Sequence, residues 1–461
     1  MRERQLENNH LEVIFMDMLE IILAKRFGQE LNAEQIAYFI DGVTDKSIPD
    51  YQISSLLMAI VLNGMTRAEM TELTMRMAYS GEICDLSGIQ GTKVDKHSSG
   101  GVGDKCTLIV LPMVAACGVP VAKLSGRGLG FTGGTIDKLE SIQGFRTAIP
   151  VSSFVEQIKK AGMVLSGQTP ELAPADKVLY ALRDVTGTVQ SIPLIASSIM
   201  SKKIAGGADA IVLDVTCGHG SFMKDEASAR DLSQAMIQIG QLAGRPVTCV
   251  ISSMDQPLGR SVGNTLEVME AYDTLCGKGA ADVVEVCCTL AAAMLMRSDY
   301  GHNMTFEEAF STAELVLADG RARDAFERFI LAQGGTVQPD GSPAYTDLPV
   351  ACASICAQEE GYISGLNALM IGEASMILGA GRRTKDDIID KGSGITLEKK
   401  IGSFVRKGDK IADFYRGENA VLSESSIQQA VQLVQKAVTF SADAVLAGKD
   451  ILAILDEHSF E

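Results

Sequence analysis

Three things are scarce in this sequence of 461 residues: positive charge, long apolar runs and paired metal-binding cysteines. The formal net charge is −17, which argues against a protein built to coat nucleic acid or an anionic membrane, because those partners select basic surfaces. Anion binding is decided locally, so a basic pocket inside an acidic body is compatible with that total. No apolar run reaches the roughly 18 residues that a spanning helix needs. The first residues are charged and carry no apolar stretch before a cleavage site, so nothing in them is expected to direct export. Of the ten cysteines, most lie in or beside apolar runs, as at Cys106, Cys249, Cys287 and Cys288. No Cys-x-x-Cys pair is matched by a second at zinc spacing. Buried reduced thiols in a cytoplasmic protein are therefore expected, rather than a disulfide framework.

The length exceeds what one core usually spans, so two or three domains are expected. Residues 1–15 read as a polar N-terminal extension. Over 16–82 the apolar positions recur at helical spacing, as in Met18, Ile21, Ile22, then Ile36, Phe39, Ile40, then Leu56, Leu57, Ile60, Val61. Asn32 before Ala33-Glu34-Gln35 and Thr66 before Arg67-Ala68-Glu69 supply helix starts. From about Leu86 the texture changes. Thr107–Val110, Val119–Leu124, Ala210–Asp214 and Val247–Ser252 read as buried strands alternating with helices, which implies a mostly parallel sheet over 86–165 and 208–340. Residues 175–205 are helical again and are expected to fold back on 16–82, making a discontinuous helical domain.

From 345 to 461 an α+β module is expected. Its glycine-punctuated strands at Gly361–Gly365 and Ile401–Asp409 resemble the hybrid hairpins of biotinyl and lipoyl modules. No lysine stands at a tight exposed hairpin tip, so the module reads as structural, with residues 424–461 as one or two terminal helices. The fold class is α/β: a small all-helical domain, a larger mixed α/β domain with a central mostly parallel sheet, and this C-terminal hairpin module.

Two glycine-rich loops carry the chemistry. In Lys96-His97-Ser98-Ser99-Gly100-Gly101-Val102-Gly103-Asp104-Lys105-Cys106-Thr107, glycines let backbone N–H groups converge beside hydroxyls and an ammonium, the composition of an anion nest. A Walker loop needs Gly-Lys-Ser/Thr in direct sequence, and here Asp104 and Cys106 interrupt it. The second loop runs from Lys123 to Thr135. Gly128, Gly130 and Gly133 match the dinucleotide fingerprint, yet the acidic residue expected about 20 positions on is absent near Ala148. Phosphate or phosphoribose, held from two sides, is the favoured ligand.

Residues 125–140, Ser-Gly-Arg-Gly-Leu-Gly-Phe-Thr-Gly-Gly-Thr-Ile-Asp-Lys-Leu-Glu, resemble the signature of the thymidine and pyrimidine-nucleoside phosphorylases. The resemblance extends through Lys96-His97-Ser98, Tyr180–Asp184 and Ser197–Lys203, from about Met16 into the C-terminal module. It implies that Lys96, Ser98, Thr107, Ser125 and Thr135 bind phosphate, with Lys123 beside them. It implies a pyrimidine site of Arg183, Ser198 and Lys202, completed by Tyr180, Leu129 and Phe222. His97, Arg183 and Lys202 form the expected catalytic group, with cations facing the charge that grows on the departing base.

The implied reaction is attack of inorganic phosphate, the co-substrate, on C1′ of the sugar. Free base and α-D-ribose 1-phosphate or its 2-deoxy analogue leave, with no organic cofactor and no divalent metal. Some bacterial relatives also hold a monovalent cation, and the matching positions for potassium are Gly103, Lys105, Leu258, Ser261 and Glu270. A homodimer joined through the helical domain is implied, with closure about linkers near 82–90, 165–175 and 204–208. The partners expected are a nucleoside and phosphate, not nucleic acid or membrane.

Two departures from the family stand out. Phe131 replaces a usual histidine, and Thr216-Cys217-Gly218-His219-Gly220 replaces a Lys-Thr-Gly run, with Lys105 or His219 as candidate compensations. Lys123, where thymidine-specific members carry an apolar residue, favours uridine as well as 2′-deoxyuridine and thymidine. A thymidine- and deoxyuridine-specific phosphorylase, an anthranilate-type phosphoribosyltransferase and a non-catalytic nucleoside-binding protein remain as alternatives.

Overall fold

The computed structural model describes residues 16–128, 133–169, 171–382 and 387–460. The chain opens with four helices: α1 (Met18–Arg26), α2 (Ala33–Thr44), α3 (Asp50–Asn63) and α4 (Arg67–Ala78). Asn32 with Gln35 and Thr66 with Glu69 close reciprocal capping boxes on α2 and α4. Glu69 also accepts bonds from Lys25 Nζ at 2.7 Å and Leu31 N–H at 2.8 Å, so a cap legible in the sequence doubles as a buried ion pair.

The α/β body follows as β1 (Val94–Ser98), α5 (Cys106–Ala116), β2 (Val121–Ser125), α6 (Thr135–Leu139), α7 (Phe154–Ala161) and β3 (Met163–Gly167). Next come α8 (Pro174–Thr186) and α9 (Ile192–Ala205), then β4 (Ala210–Cys217), α10 (Glu226–Leu242) and β5 (Val247–Ser253). Leu179 of α8 and Leu194 of α9 share one buried cluster with Ile36, Phe39 and Leu57. The chain thus returns to its first helices before resuming the sheet.

Strands β1, β4 and β5 are parallel neighbours, and β2 pairs in parallel with β3. The register sets Lys96 opposite Val212 and Ser98 opposite Asp214. The carboxyl ends of β1, β2 and β4 therefore present Ser98, Ser125 and Thr216 where open α/β sheets place their ligands.

Two sequence expectations are corrected. Thr107–Val110 is not a strand but the start of α5, whose residues Cys106–Val114 are all buried. A segment apolar on every side shows no 3.6-residue period, so periodicity cannot separate it from a buried strand. At the other end, 424–461 is only partly helical. Glu424–Ala437 is a helix, but Val438–Ser441 and Ile451–Leu455 are strands, the latter antiparallel to β5. That apolar pentapeptide satisfies its backbone on an open sheet edge, a partner some 200 residues away in sequence.

The C-terminal module contains two antiparallel sheets around Ile363, Ile395, Val405 and Phe414. No single helix among the described residues is long and apolar enough to cross a membrane, and the one bent apolar pair, Asn264–Lys278 with Ala281–Met296, packs into the main core. The chain segments joining the helical unit to the sheet run against one another. Glu82 N–H donates to Glu171 O at 2.9 Å and Cys84 N–H to Ala205 O at 2.8 Å.

Candidate functional site

A cavity of ≈1240 Å³ lies between the strand ends and helices α8 and α9. It is lined from the sheet side by His97, Ser98 and Ser125, and from the helical side by Tyr180, Arg183, Ser198 and Lys202, with Phe222 at the turn after β4. Eight of the expected site residues thus meet in one cleft. Leu129 and Phe131 lie outside the described residues.

On the sheet side, Lys96 is fully buried and its Nζ has no hydrogen-bond partner among the described residues. Asp104 Oδ1 stands 3.9 Å away and Asp214 Oδ2 3.7 Å away, near enough to balance charge but too far to accept its protons. Burial alone would push the lysine's pKa down; the two carboxylates outweigh it and hold the pKa above the usual lysine value. A buried ammonium with free donors can bind an anion's oxygen. Thr107 is buried in the first turn of α5, and Thr135 opens α6. Asp104, Cys106 and Asp214 bring ligand atoms within 4.8 Å of one another, a grouping that sequence spacing does not reveal. Cys106, a free thiol hydrogen-bonded to Cys287 and buried, is pushed well above its usual thiol range and keeps its proton. The two carboxylates serve as counter-charges to Lys96.

Lys123 is buried behind β1, donating to Lys96 O, with Asp95 Oδ1 3.7 Å away. Burial and neighbouring Lys203 pull its pKa down to about 7, against the opposing effect of Asp95. His97 is held well below its usual value by burial first, then by Lys203, Lys123, Lys202 and Lys96. It is a neutral imidazole at physiological pH.

On the helical side, Lys202 Nζ donates to Asp176 Oδ2 at 2.6 Å and Ser198 Oγ at 2.8 Å. Ser198 sits one turn before Lys202 on α9, while Asp176 comes from the first turn of α8. Asp176 escaped the sequence reading. It follows Pro174 and looks like an acidic helix start, and nothing local ties it to a lysine 26 residues away. Arg183 is not paired with Asp184. Its guanidinium donates to Thr188 O at 3.3 Å, Leu194 O at 3.1 Å and Val189 O at 2.7 Å. Those bonds close the α8–α9 turn and leave two of five N–H groups for a ligand. The guanidinium also lies over the Tyr180 ring, 5.8 Å from its centre.

The family departure at Thr216 has a structural role. Its N–H donates to Ser99 Oγ at 2.9 Å, and its hydroxyl donates to Gly100 O, fastening the first glycine loop to β4. Neither candidate compensation reaches the cleft. His219 is exposed with Nδ1 2.9 Å from Asp255 Oδ1. Lys105 is fully buried and turned to another loop, where its Nζ donates to Leu258 O at 2.6 Å and lies 3.0 Å from Glu270 Oε2. The five positions expected around potassium do come together, with this ammonium among them. Gly103, at φ +75°, would place a Cβ 2.7 Å from Leu258 O and 3.2 Å from Ser261 O.

Comparison with known proteins agrees with this architecture. Residues 19–81 match the helical bundle domain of a glycosyl transferase family, 90–323 its a/b domain, and 362–441 the pyrimidine nucleoside phosphorylase C-terminal domain. The chain is 50% identical over 406 residues to the pyrimidine-nucleoside phosphorylase of Bacillus subtilis, covering 88% of this chain and 93% of that protein. It is 50% identical over 427 residues to the Staphylococcus haemolyticus protein of the same name, covering 92% and 98%. The crystal structure of anthranilate phosphoribosyltransferase from Thermus thermophilus superposes with a TM-score of 0.54 over 68% of this chain and 99% of that one, at 18% identity, a likeness of fold alone. On the identity and coverage of these relatives, the chain belongs to the pyrimidine-nucleoside phosphorylase family.

Proposed function

We propose that this chain catalyses reversible phosphorolysis of pyrimidine nucleosides, releasing the free base and α-D-ribose 1-phosphate or its 2-deoxy analogue. One observation carries the reading. An ammonium at Lys96, buried and without a hydrogen-bond partner among the described residues, stands on β1 next to the cleft-lining His97 and Ser98, and a second cation, Lys202, is held by Asp176 and Ser198 on the other side. Phosphate on Ser98, Ser125 and Lys96, with Thr107, Lys123 and Thr135 behind, would attack C1′ from below. The base would lie against Arg183, Ser198, Lys202, Tyr180 and Phe222. As the glycosidic bond breaks, negative charge moves onto the pyrimidine, where fixed positive groups lower the barrier without reorganising. His97, being neutral, contributes a hydrogen bond to the base, and the positive charge comes from Arg183 and Lys202.

Uridine, 2′-deoxyuridine and thymidine are all assigned as substrates, on the strength of Lys123 and the relatives' common name. Closure brings the two sides together about the paired segments at Glu82–Glu171 and Cys84–Ala205. Gly207, at φ +77° with Cys84 O 2.6 Å from where a Cβ would be, keeps that crossing tight. Two subunits join through the helical unit, and the enzyme works in the cytoplasm, consistent with protonated core thiols such as Cys249, pushed up to about 12 by burial.

The test is phosphate-dependent release of uracil or thymine by wild type beside three variants. Lys202→Ala and Arg183→Ala should each lower kcat/KM by about 10²–10³-fold, the range for removing one transition-state donor. Asp176→Asn, which frees Lys202 without removing it, should cost about tenfold, a loss of ~1.4 kcal/mol. Unchanged rates in Lys202→Ala and Arg183→Ala would refute the base site. Turnover confined to the deoxynucleosides would refute the broad specificity.

A further inference from the structure

The residues at the expected potassium position do not fit a potassium ion, because a side chain of the protein is already there. Lys105 leaves the first glycine loop just before α5 and crosses to the loop 257–261. Its ammonium binds Leu258 O at 2.6 Å and Glu270 Oε2 at 3.0 Å. Glu270 is otherwise engaged with that loop's backbone, accepting Arg260 N–H at 2.7 Å and Ser261 N–H at 2.8 Å. Leu258 N–H in turn donates to Val102 O at 3.1 Å, so the ammonium sits where the two loops are stitched together.

Charge balance points the same way. A second lysine, Lys400 of the C-terminal module, donates to Pro257 O, to Gly259 O at 2.7 Å and to Asp282 Oδ2 at 2.9 Å. Two ammonium groups therefore face two carboxylates, Glu270 and Asp282. Glu267, which also acts on Lys105, pairs with Lys138 at 2.7 Å. A potassium ion added here would be a buried, uncompensated charge beside an ammonium. Burial disfavours the charged lysine, but Glu270, Glu267 and Asp282 overcome it and raise its pKa, so Lys105 is protonated at neutral pH.

We propose that the Lys105 ammonium is a built-in monovalent cation, bonding the first glycine loop to the loop 257–261 and making the enzyme independent of potassium. Lys105 is a positioning residue. It adjoins Asp104, which balances Lys96, so the cation bond holds the phosphate-side loop in place.

Melting temperature and phosphorolysis are to be measured in matched KCl and NaCl at about 100 mM, where a cation bound only by the folded protein raises its melting temperature. For wild type, melting should agree within about 1 °C between the salts and kcat/KM within about twofold. Lys105→Thr, which reopens the position, should melt lower in NaCl and be raised by KCl. Lys105→Met should melt lower in both salts with no gain from KCl. The proposal is overturned by a wild type that KCl stabilises or activates several-fold over NaCl, or by a Lys105→Thr protein that KCl does not restore. Wild type alone decides the matter if the variants do not fold. Melting needs no nucleoside, so this test can fail while the phosphorolysis assay succeeds, and the reverse.

Discussion

Lys96, Lys105, Lys123, Lys138 and Lys203 are all fully buried in a protein whose net charge is −17. Buried ammonium groups persist only with compensation, and four have it within reach. Lys105 has Glu270, Lys138 has Glu267, Lys203 has Asp95, and Lys96 has Asp104 and Asp214. Lys123 must share Asp95 with Lys203, which takes the closer bond at 2.6 Å against 3.7 Å. Burial first, then the charge of Lys203, pulls its pKa down to about 7, and the more distant Asp95 opposes that fall only in part.

A stability prediction follows with a definite sign. The unfolded lysine keeps its proton until about pH 10.4, whereas the folded one releases it near pH 7. Between these limits the unfolded state binds more protons, so this group's contribution makes stability rise with pH. Denaturant midpoints should therefore climb from pH 7 toward pH 9 more steeply in wild type than in Lys123→Met. Parallel slopes in the two proteins would show that Lys123 is protonated in the fold.

Between elements, the second glycine loop is held by ion pairs from the C-terminal module. Asp137 of α6 accepts Gly128 N–H at 2.8 Å and Arg382 N–H groups at 3.0 and 2.9 Å. Arg127 adds a bond to Asp137 at 3.0 Å and pairs with Glu140. Arg382 thus braces the loop carrying Ser125 and Thr135 without lining the cleft itself. Arg382→Ala should raise the KM for phosphate about tenfold, equivalent to ~1.4 kcal/mol, with kcat and the KM for nucleoside little changed. An equal rise in both KM values would point to general damage instead. The same scale explains why α5 misleads a reader of the sequence. Its apolar run is written for a helix buried on all sides, and only its neighbours Leu139, Val286 and Phe329 tell it from a strand.

For the whole molecule, the helical unit leaves apolar surface uncovered. Tyr51, Met58 and Leu62 are exposed on α3, at spacings of seven and four residues that set them on one face. Leu19 on α1 and Phe27 at its end are exposed nearby in sequence. An apolar face of this kind marks an interaction surface. If the proposed dimer forms through this face, wild type should scatter light as two chains and a double variant, Tyr51→Glu with Leu62→Glu, as one. A variant that stays dimeric would place the interface elsewhere.

What the sequence determined by itself was local. The glycine loops are legible because an anion nest is made of consecutive residues, and the capping boxes because their partners are three positions apart. Helical spacing over 16–82 reports a face that packs, whatever it packs on. Tertiary structure alone decided the pairings that need distant chain segments. Asp176 finds Lys202 across two helices, Lys105 finds Glu270 across 165 positions, and Ile451–Leu455 finds the edge of β5. The physical reason is the same in each case. A buried charge or an unpaired strand is satisfied by whatever partner the fold brings near, and that partner leaves no periodicity in the sequence around it.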